Sequence, residues 1–141
     1  MPKNETSNRH LTKRASRVIA KLAGKDIITG YDLLLILLGE PTSAAVHSLR
    51  HKGVSPDALA QRLRELLPQP SKSTTMKSHS GWLESAAEEA AKLNHPYIGT
   101  EHLLLAALHD ESRSERETLD QLGISYPQAR DGVTALLYGE G

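Results

Sequence analysis

Two stretches of this chain read as helices that have to be buried, and they lie seventy residues apart. The first is Thr29-Gly30-Tyr31-Asp32-Leu33-Leu34-Leu35-Ile36-Leu37-Leu38; the second is Gly99-Thr100-Glu101-His102-Leu103-Leu104-Leu105-Ala106-Ala107-Leu108. Each joins a turn, a helix-start signal and a body that is apolar on nearly every side. A helix with no polar face belongs in the interior of a fold. The rest of the chain reads as two copies of a unit built around such a helix.

Sliding the sequence by seventy positions without a gap superposes the copies from this helix onward. Leu33, Leu34 and Leu35 fall on Leu103, Leu104 and Leu105; Leu49 falls on Leu119, Gly53 on Gly123, Ser55 on Ser125, and Leu66-Leu67 on Leu136-Leu137. Agreement at caps, turns and core positions together marks an internal duplication. In the first copy a helical stripe runs through Leu11, Ala15, Val18, Ile19 and Leu22. Thr29 with Asp32 approaches a capping box at the second helix, and Thr42 or Ser43 can cap the third. Ser55-Pro56-Asp57 opens the fourth.

The second copy is expected to start with an Ala-rich helix from Trp82 to Leu93, with Glu84, Glu88 and Glu89 outward. It continues with the apolar helix, a third from about Ser112 to Gly123 and a fourth from Ser125. No alternating β-branched run or hairpin turn signals a strand. The expected fold is therefore all-α, two pseudo-symmetric four-helix repeats with about eight helices. Residues 1–10 are expected to form a disordered N-terminal segment, 11–67 the first repeat, 68–80 a polar, proline-bearing linker and 81–138 the second repeat.

Composition narrows the function classes. The chain has 141 residues, no Phe and one Trp, so its core is aliphatic; it has no Cys, which excludes disulfides, thiol catalysis and thiolate metal sites. The zero net charge hides an asymmetry: residues 1–70 carry 11 Lys/Arg against 6 Asp/Glu, and residues 71–141 carry 6 against 11. The basic excess clusters at Lys3, Arg9, Lys13, Arg14, Arg17, Lys21 and Lys25, without the interleaved aromatics that would stack on bases, so no nucleic-acid partner is expected. Residues 1–8 are polar with no apolar core of a signal peptide, and the longest uninterrupted apolar run, Leu33 to Leu38, is far too short for a bilayer. A cytoplasmic protein without membrane partners is expected.

Catalytic signatures are missing. Ala23-Gly24-Lys25-Asp26 lacks the upstream Gly and the hydroxyl of a phosphate-binding loop, and no H-E-x-x-H or G-x-S-x-G occurs. His47 and His51, four residues apart on one helix, could share a metal face, but no further ligand is placed by the sequence and they read as exposed. Glu101 and His102 are adjacent on a helix and therefore point in different directions, which argues against an acid–base pair. Thr100 reads as the cap of its helix, and Glu101 sits where the positive end of the helix dipole favours an acid. No catalytic residue, metal or cofactor is expected.

The run Asn94-His95-Pro96-Tyr97-Ile98-Gly99-Thr100-Glu101-His102-Leu103-Leu104-Leu105 resembles the G-T-E-H-[LI]-L-L signature of the Clp N-terminal (Clp repeat) domain. Ile28-Thr29-Gly30-Tyr31-Asp32-Leu33-Leu34 resembles a variant of the same motif, and Leu11-Thr12-Lys13-Arg14-Ala15 is similar to the T-x-R-A start of the first repeat. The resemblance covers roughly residues 11–138. It implies two four-helix repeats of the kind that precede the ATPase modules in AAA+ unfoldases of the ClpA/ClpC type, recruiting adaptors and protein substrates. It also implies that the carboxylate of the motif receives the guanidinium side of phosphoarginine. Glu101 holds that place in the second repeat, with Thr100 at the helix start; Tyr31 holds it in the first, so one carboxylate carries over.

The resemblance thus implies a non-enzymatic protein-binding module of the Clp chaperone-protease system. Its partners would be a Clp unfoldase, adaptor, substrate or peptidase, bound near Thr100, Glu101, Tyr31, Thr12 and Arg14. Alternatives are an accessory subunit docking on the peptidase ring, or a binder of phosphoarginine or cyclic peptide antibiotics. The chain is expected to be a domain excised from a longer ATPase or a stand-alone Clp-repeat protein.

Overall fold

A computed structural model describes residues 10–22, 28–40, 43–66, 76–77, 79–109, 120–121 and 123–137. Its first helix, α1 (Lys13–Leu22), starts where the Thr12 hydroxyl accepts a hydrogen bond from the Ala15 amide at 3.1 Å. Ala15, Val18 and Leu22 turn inward at the expected helical spacing. Helix α2 (Gly30–Leu38) begins with a complete capping box: Thr29 Oγ1 accepts from the Asp32 amide, and Asp32 Oδ2 accepts from the Thr29 amide. Aspartate, one methylene shorter than the usual glutamate, still closes the box at 3.2 Å.

Ser43 caps α3 (Ala44–His51) by accepting from the Val46 amide. This helix ends in a Schellman motif. The Val54 amide returns to the Leu49 carbonyl, the Gly53 amide returns to Arg50, and Gly53 sits at φ +80°. Ser55 caps α4 (Pro56–Leu66). Three helices of the second unit follow: α5 (His79–Lys92), α6 (Thr100–His109) and α7 (Tyr126–Leu137). The protein is all-α, with seven helices among the described residues. The third helix expected from about Ser112 to Gly123 lies outside them except at Asp120 and Gln121, which are helical, and Gly123, which is in a turn. The N-terminal segment before His10 and most of the 68–80 linker also lie outside the described residues.

The two apolar helices pack on each other at the centre, and every residue of α6 from Thr100 to Leu108 is buried. Leu33, Leu34 and Leu37 of α2 are likewise buried, whereas Leu35, Ile36 and Leu38 are only partly covered. Around this pair α5 covers α6, α4 covers α2, and α3 of the first repeat packs along α7 of the second. Burying a leucine side chain contributes about 1.5–3 kcal/mol, so this shared core outweighs any single polar contact.

Four two-residue strands add a detail invisible in the sequence pattern, because two residues are too few to show alternation. β1 (His10–Leu11) pairs in parallel with β4 (Tyr97–Ile98), and β2 (Ile28–Thr29) pairs antiparallel with β3 (Met76–Lys77). Both pairings link segments that precede helices of different repeats. The Trp82 indole on α5 adds a buried tie by donating to the Ile28 carbonyl at 2.9 Å.

The acidic row of α5 corrects one expectation. Glu84 and Glu88 face water, but Glu89 is only 3% exposed. The Tyr126 hydroxyl of α7 donates to its Oε1 at 2.6 Å, and Lys92 reaches its Oε2 at 3.2 Å. Burial first, and the neighbouring Glu89 carboxylate second, push the Tyr126 hydroxyl well above its ordinary pKa. The basic face of α1 is also partly neutralised. Arg17 and Lys21 converge on Glu40, just beyond the end of α2, at 3.2 and 3.1 Å.

Two measurements check this packing. A Cβ on Gly132 of α7 would lie 2.6 Å from the Ser48 carbonyl oxygen of α3. Helix propensity favours Ala over Gly by about 1 kcal/mol, but a backbone clash of this kind costs about 1–3 kcal/mol. Gly132→Ala is therefore expected to lower the urea midpoint, and a raised midpoint would refute the close approach of α3 and α7.

Glu40 tests the polar tie. The hydrogen bond from Lys21 does most to hold its carboxyl below the ordinary value, with Arg17 adding to it against the opposing effect of burial. The unfolded chain therefore takes up the proton first as pH falls. The stabilisation is complete above the ordinary carboxylate range, about pH 4–5, and is lost as pH falls through the folded value. Glu40→Gln is expected to lower Tm at neutral pH and to show a smaller drop in Tm on acidification.

Candidate functional site

The motif that carries the resemblance is assembled by a turn, a strand and a helix start. Helix α5 stops in a Schellman motif of its own, with Asn94 at φ 61° as its left-handed residue and the His95 amide returning to the Ala90 carbonyl. Asparagine tolerates this conformation better than most residues. The chain then runs through β4 into Gly99, whose carbonyl accepts from the His102 and Leu103 amides. Gly99, rather than Thr100, is thus the cap position of α6.

His102 replaces the side chain of a capping box. Its Nδ1 accepts from the Gly99 amide at 2.9 Å, and its Nε2 lies 2.7 Å from His95 Nδ1. Because Nδ1 is an acceptor, the ring proton is assigned to Nε2, which donates to His95. Asp32 makes the equivalent bond to the Thr29 amide in the first repeat. The two motif helices therefore share one device, an N3 side chain satisfying the cap amide, with different chemistry.

Thr100 and Glu101 are both buried, at 2% and 3% exposure. The Thr100 hydroxyl leaves its own helix and accepts from the Ala45 amide, in the first turn of α3, at 3.2 Å. It caps a helix of the other repeat. Glu101 folds back over Gly99, and its Oε2 accepts from the Tyr97 hydroxyl at 3.0 Å. Tyr97 in turn stacks on His95, with ring centroids 5.3 Å apart and planes 7° off parallel. Glu101 and His102 diverge as expected, one towards Tyr97 and the other towards Gly99 and His95.

The remaining expected site residues divide between the two strand pairs. The Thr12 amide donates to the Ile98 carbonyl at 3.0 Å, which extends β1 and sets the start of α1 beside the Tyr97–Glu101 turn. Thr12, Arg14 and Glu101 thus belong to one junction between repeats. Arg14 is exposed there, in the first turn of α1. Tyr31, 8% exposed, lies at the exit of β2, whose partner is β3. His95 and Tyr97, which form the outer layer of the Glu101 turn, carry no helical or metal-ligand spacing that sequence reasoning could have used. His47 and His51 are exposed on α3, and no group of three or more metal-ligating side chains occurs among the described residues. No described helix is long and apolar enough to cross a membrane.

The family model of the Clp repeat (R) N-terminal domain matches residues 75–139, the second repeat with its motif turn. Relatives extend the match over the first repeat. The chaperone protein ClpB of Oceanobacillus iheyensis is 29% identical over 136 residues, covering 89% of this chain and 17% of its own length. Residues 75–139 of the chain thus match the Clp repeat N-terminal domain family. ClpC/MecB of Bacillus subtilis, a negative regulator of genetic competence, is 26% identical over 89% of this chain and 17% of its own length. A probable ATP-binding subunit of a Clp protease from Chlamydia pneumoniae is 34% identical over 86% of this chain and 16% of its own length. The chain spans about a sixth of the length of those curated relatives. A solved chain from work on the ATPase ClpV, the TssB-TssC sheath and the accessory HsiE protein of type VI secretion shares the fold, with a TM-score of 0.56. It is 20% identical, over 94% of this chain and 86% of that one.

The Clp repeat motif here thus has a structural job for Thr100, which a substitution can isolate. Thr100→Val leaves the buried Ala45 amide without an acceptor and is expected to cost about 1–2 kcal/mol. Thr100→Ser should recover most of that. Equal stability of the Val and Ser variants in urea unfolding would show that the cross-repeat cap contributes nothing.

Proposed function

We propose that this domain is a non-enzymatic, cytoplasmic protein-binding module of the Clp chaperone-protease system, which engages an adaptor, a substrate or another Clp subunit. One observation carries the reading: the β1–β4 pairing joins the start of α1 to the Tyr97–Glu101 turn. Thr12 and Arg14 from one repeat and Glu101 from the other then meet at one junction, with an exposed cation at one side and a carboxylate covered by Tyr97 at the other. A side chain that combines a guanidinium with a phosphoryl group has the complementary charges, so phosphoarginine on a substrate protein is the ligand this junction suits.

Access sets a condition. The Glu101 carboxylate lies beneath Tyr97, so a guanidinium has to displace the Tyr97 hydroxyl as its donor. That exchange replaces a neutral donor by a charged one, and charge-assisted hydrogen bonds are roughly twice as strong. The first repeat offers Tyr31 at the matching position, so the proposed recognition is single rather than paired.

The test is a titration of the domain with purified Clp unfoldase, adaptor and peptidase separately, and with a peptide bearing phosphoarginine. Binding of at least one protein component is expected. For the peptide, Glu101→Gln should weaken binding roughly tenfold or more, the scale of one lost charge-assisted hydrogen bond. Silence with all three proteins would overturn the module reading; an unaltered peptide affinity in Glu101→Gln would remove Glu101 from recognition. Binding to the peptidase alone would instead favour an accessory subunit of the peptidase ring.

A further inference from the structure

The far end of α3 from the Thr100 cap borders a separate cavity of ≈ 290 Å³ between the α3–α4 connection and the start of α7. The eight residues of α3 span about 12 Å, at 1.5 Å each, which sets this cavity apart from the Glu101 turn. Gly53 and Gly123, the pair brought into register by the duplication, flank it at φ +80° and +82°. A Cβ at either would meet no atom within 4 Å, so the two turns leave the mouth open. Val54, Ala58 and Leu59 provide an apolar floor, and Lys52 and Arg62 stand at the rim.

Charge gives the cavity its character. No acidic residue is among the described residues that line it. Among the described residues Lys52 has one carboxylate, that of Asp131, at 3.9 Å, and Arg62 has one, that of Glu65, at 3.6 Å; both acids are largely exposed. Such surface pairs contribute about 0–1 kcal/mol each, so either cation can turn to a further carboxylate at little cost. The hydroxyls of Ser55 and Ser125 are already engaged by the Ala58 and Gln128 amides. The cationic side chains, rather than uncapped helix ends, therefore define the preference for an anion. The volume accommodates one or two side chains, and no aromatic residue is present among the described lining residues to stack on a base.

We propose that this cavity is a second docking site, which binds an acidic segment of a partner polypeptide. An aliphatic side chain of that segment seats on Val54, Ala58 and Leu59, and a neighbouring carboxylate faces Lys52 and Arg62. The site lets the domain grip a protein partner at two separate places, with charge at the rim and apolar contact at the floor.

Short fluorescein-labelled peptides with Leu-Glu, Leu-Gln or Leu-Lys at their centre test this by anisotropy on the whole chain. The Leu-Glu peptide is expected to bind roughly tenfold more tightly than the Leu-Gln peptide at low salt, with the gap narrowing as salt screens it. The double variant Lys52→Glu/Arg62→Glu changes two solvent-accessible side chains and should reverse the order in favour of Leu-Lys, with an unchanged circular dichroism spectrum. Glu101→Gln should leave all three affinities as they are, which keeps this result independent of the phosphoarginine reading. Equal binding of the three peptides, or an order unchanged in the double variant, overturns the proposal. So does displacement of the Leu-Glu peptide by inorganic phosphate but not by chloride of equal ionic strength, which would make the cavity a phosphate site.

Discussion

Everything in this fold depends on hiding two helices that have no polar side. Neither α2 nor α6 can face water along its length, and one four-helix unit leaves much of its central helix uncovered. Packing α2 against α6 solves both problems at once, since each supplies the apolar surface the other lacks. The duplication is thereby a physical requirement as well as a history. A single copy would expose what the second copy covers.

The polar contacts follow from that arrangement and reinforce it. Bringing the repeats together buries amides and carbonyls near the seam, and each needs a partner because an unsatisfied buried polar group costs about 1–3 kcal/mol. The Ala45 amide finds Thr100, the Ile28 carbonyl finds Trp82, and the Ile98 carbonyl finds the Thr12 amide. All three bonds cross between repeats. They give the apolar interface a register that leucines alone, being nondirectional, would leave loose.

The same seam shapes the proposed binding surface. Glu101 would be an ordinary first-turn acid on an isolated helix; in the folded chain it is covered by Tyr97 and held at a junction that also presents Thr12 and Arg14. The two repeats have diverged at this point while keeping the backbone device that makes it. Asp32 and His102 both satisfy the cap amide of their helix, whereas Tyr31 and Glu101 differ in charge and hydrogen-bonding capacity. Architecture is shared between the halves because the core demands it. The side chain one place before the capping residue is free to differ because the cap does not depend on it.

Local signals determined the helices on their own. Thr29, Ser43 and Ser55 each cap where the sequence pattern expects, Gly53 ends α3 in the left-handed conformation, and Leu33, Leu34 and Leu103 to Leu105 lie in the core. These features depend on neighbours within a few residues, so periodicity and capping chemistry suffice to find them. The motif residues Thr100 and Glu101 were equally legible as a motif. Their environment was not, because it is made by residues distant in the chain: Ala45 takes the Thr100 hydroxyl, Tyr126 buries Glu89, and Arg17 with Lys21 encloses Glu40. The two-residue strands were hidden for a related reason, since their pairing partners are decided by how the repeats dock. Among the described residues, the sequence by itself determined which helices exist and which two must be central. Only the tertiary structure decided which side chains at their ends serve the seam and which stay exposed, because burial and hydrogen-bond partnership belong to the assembled pair of repeats.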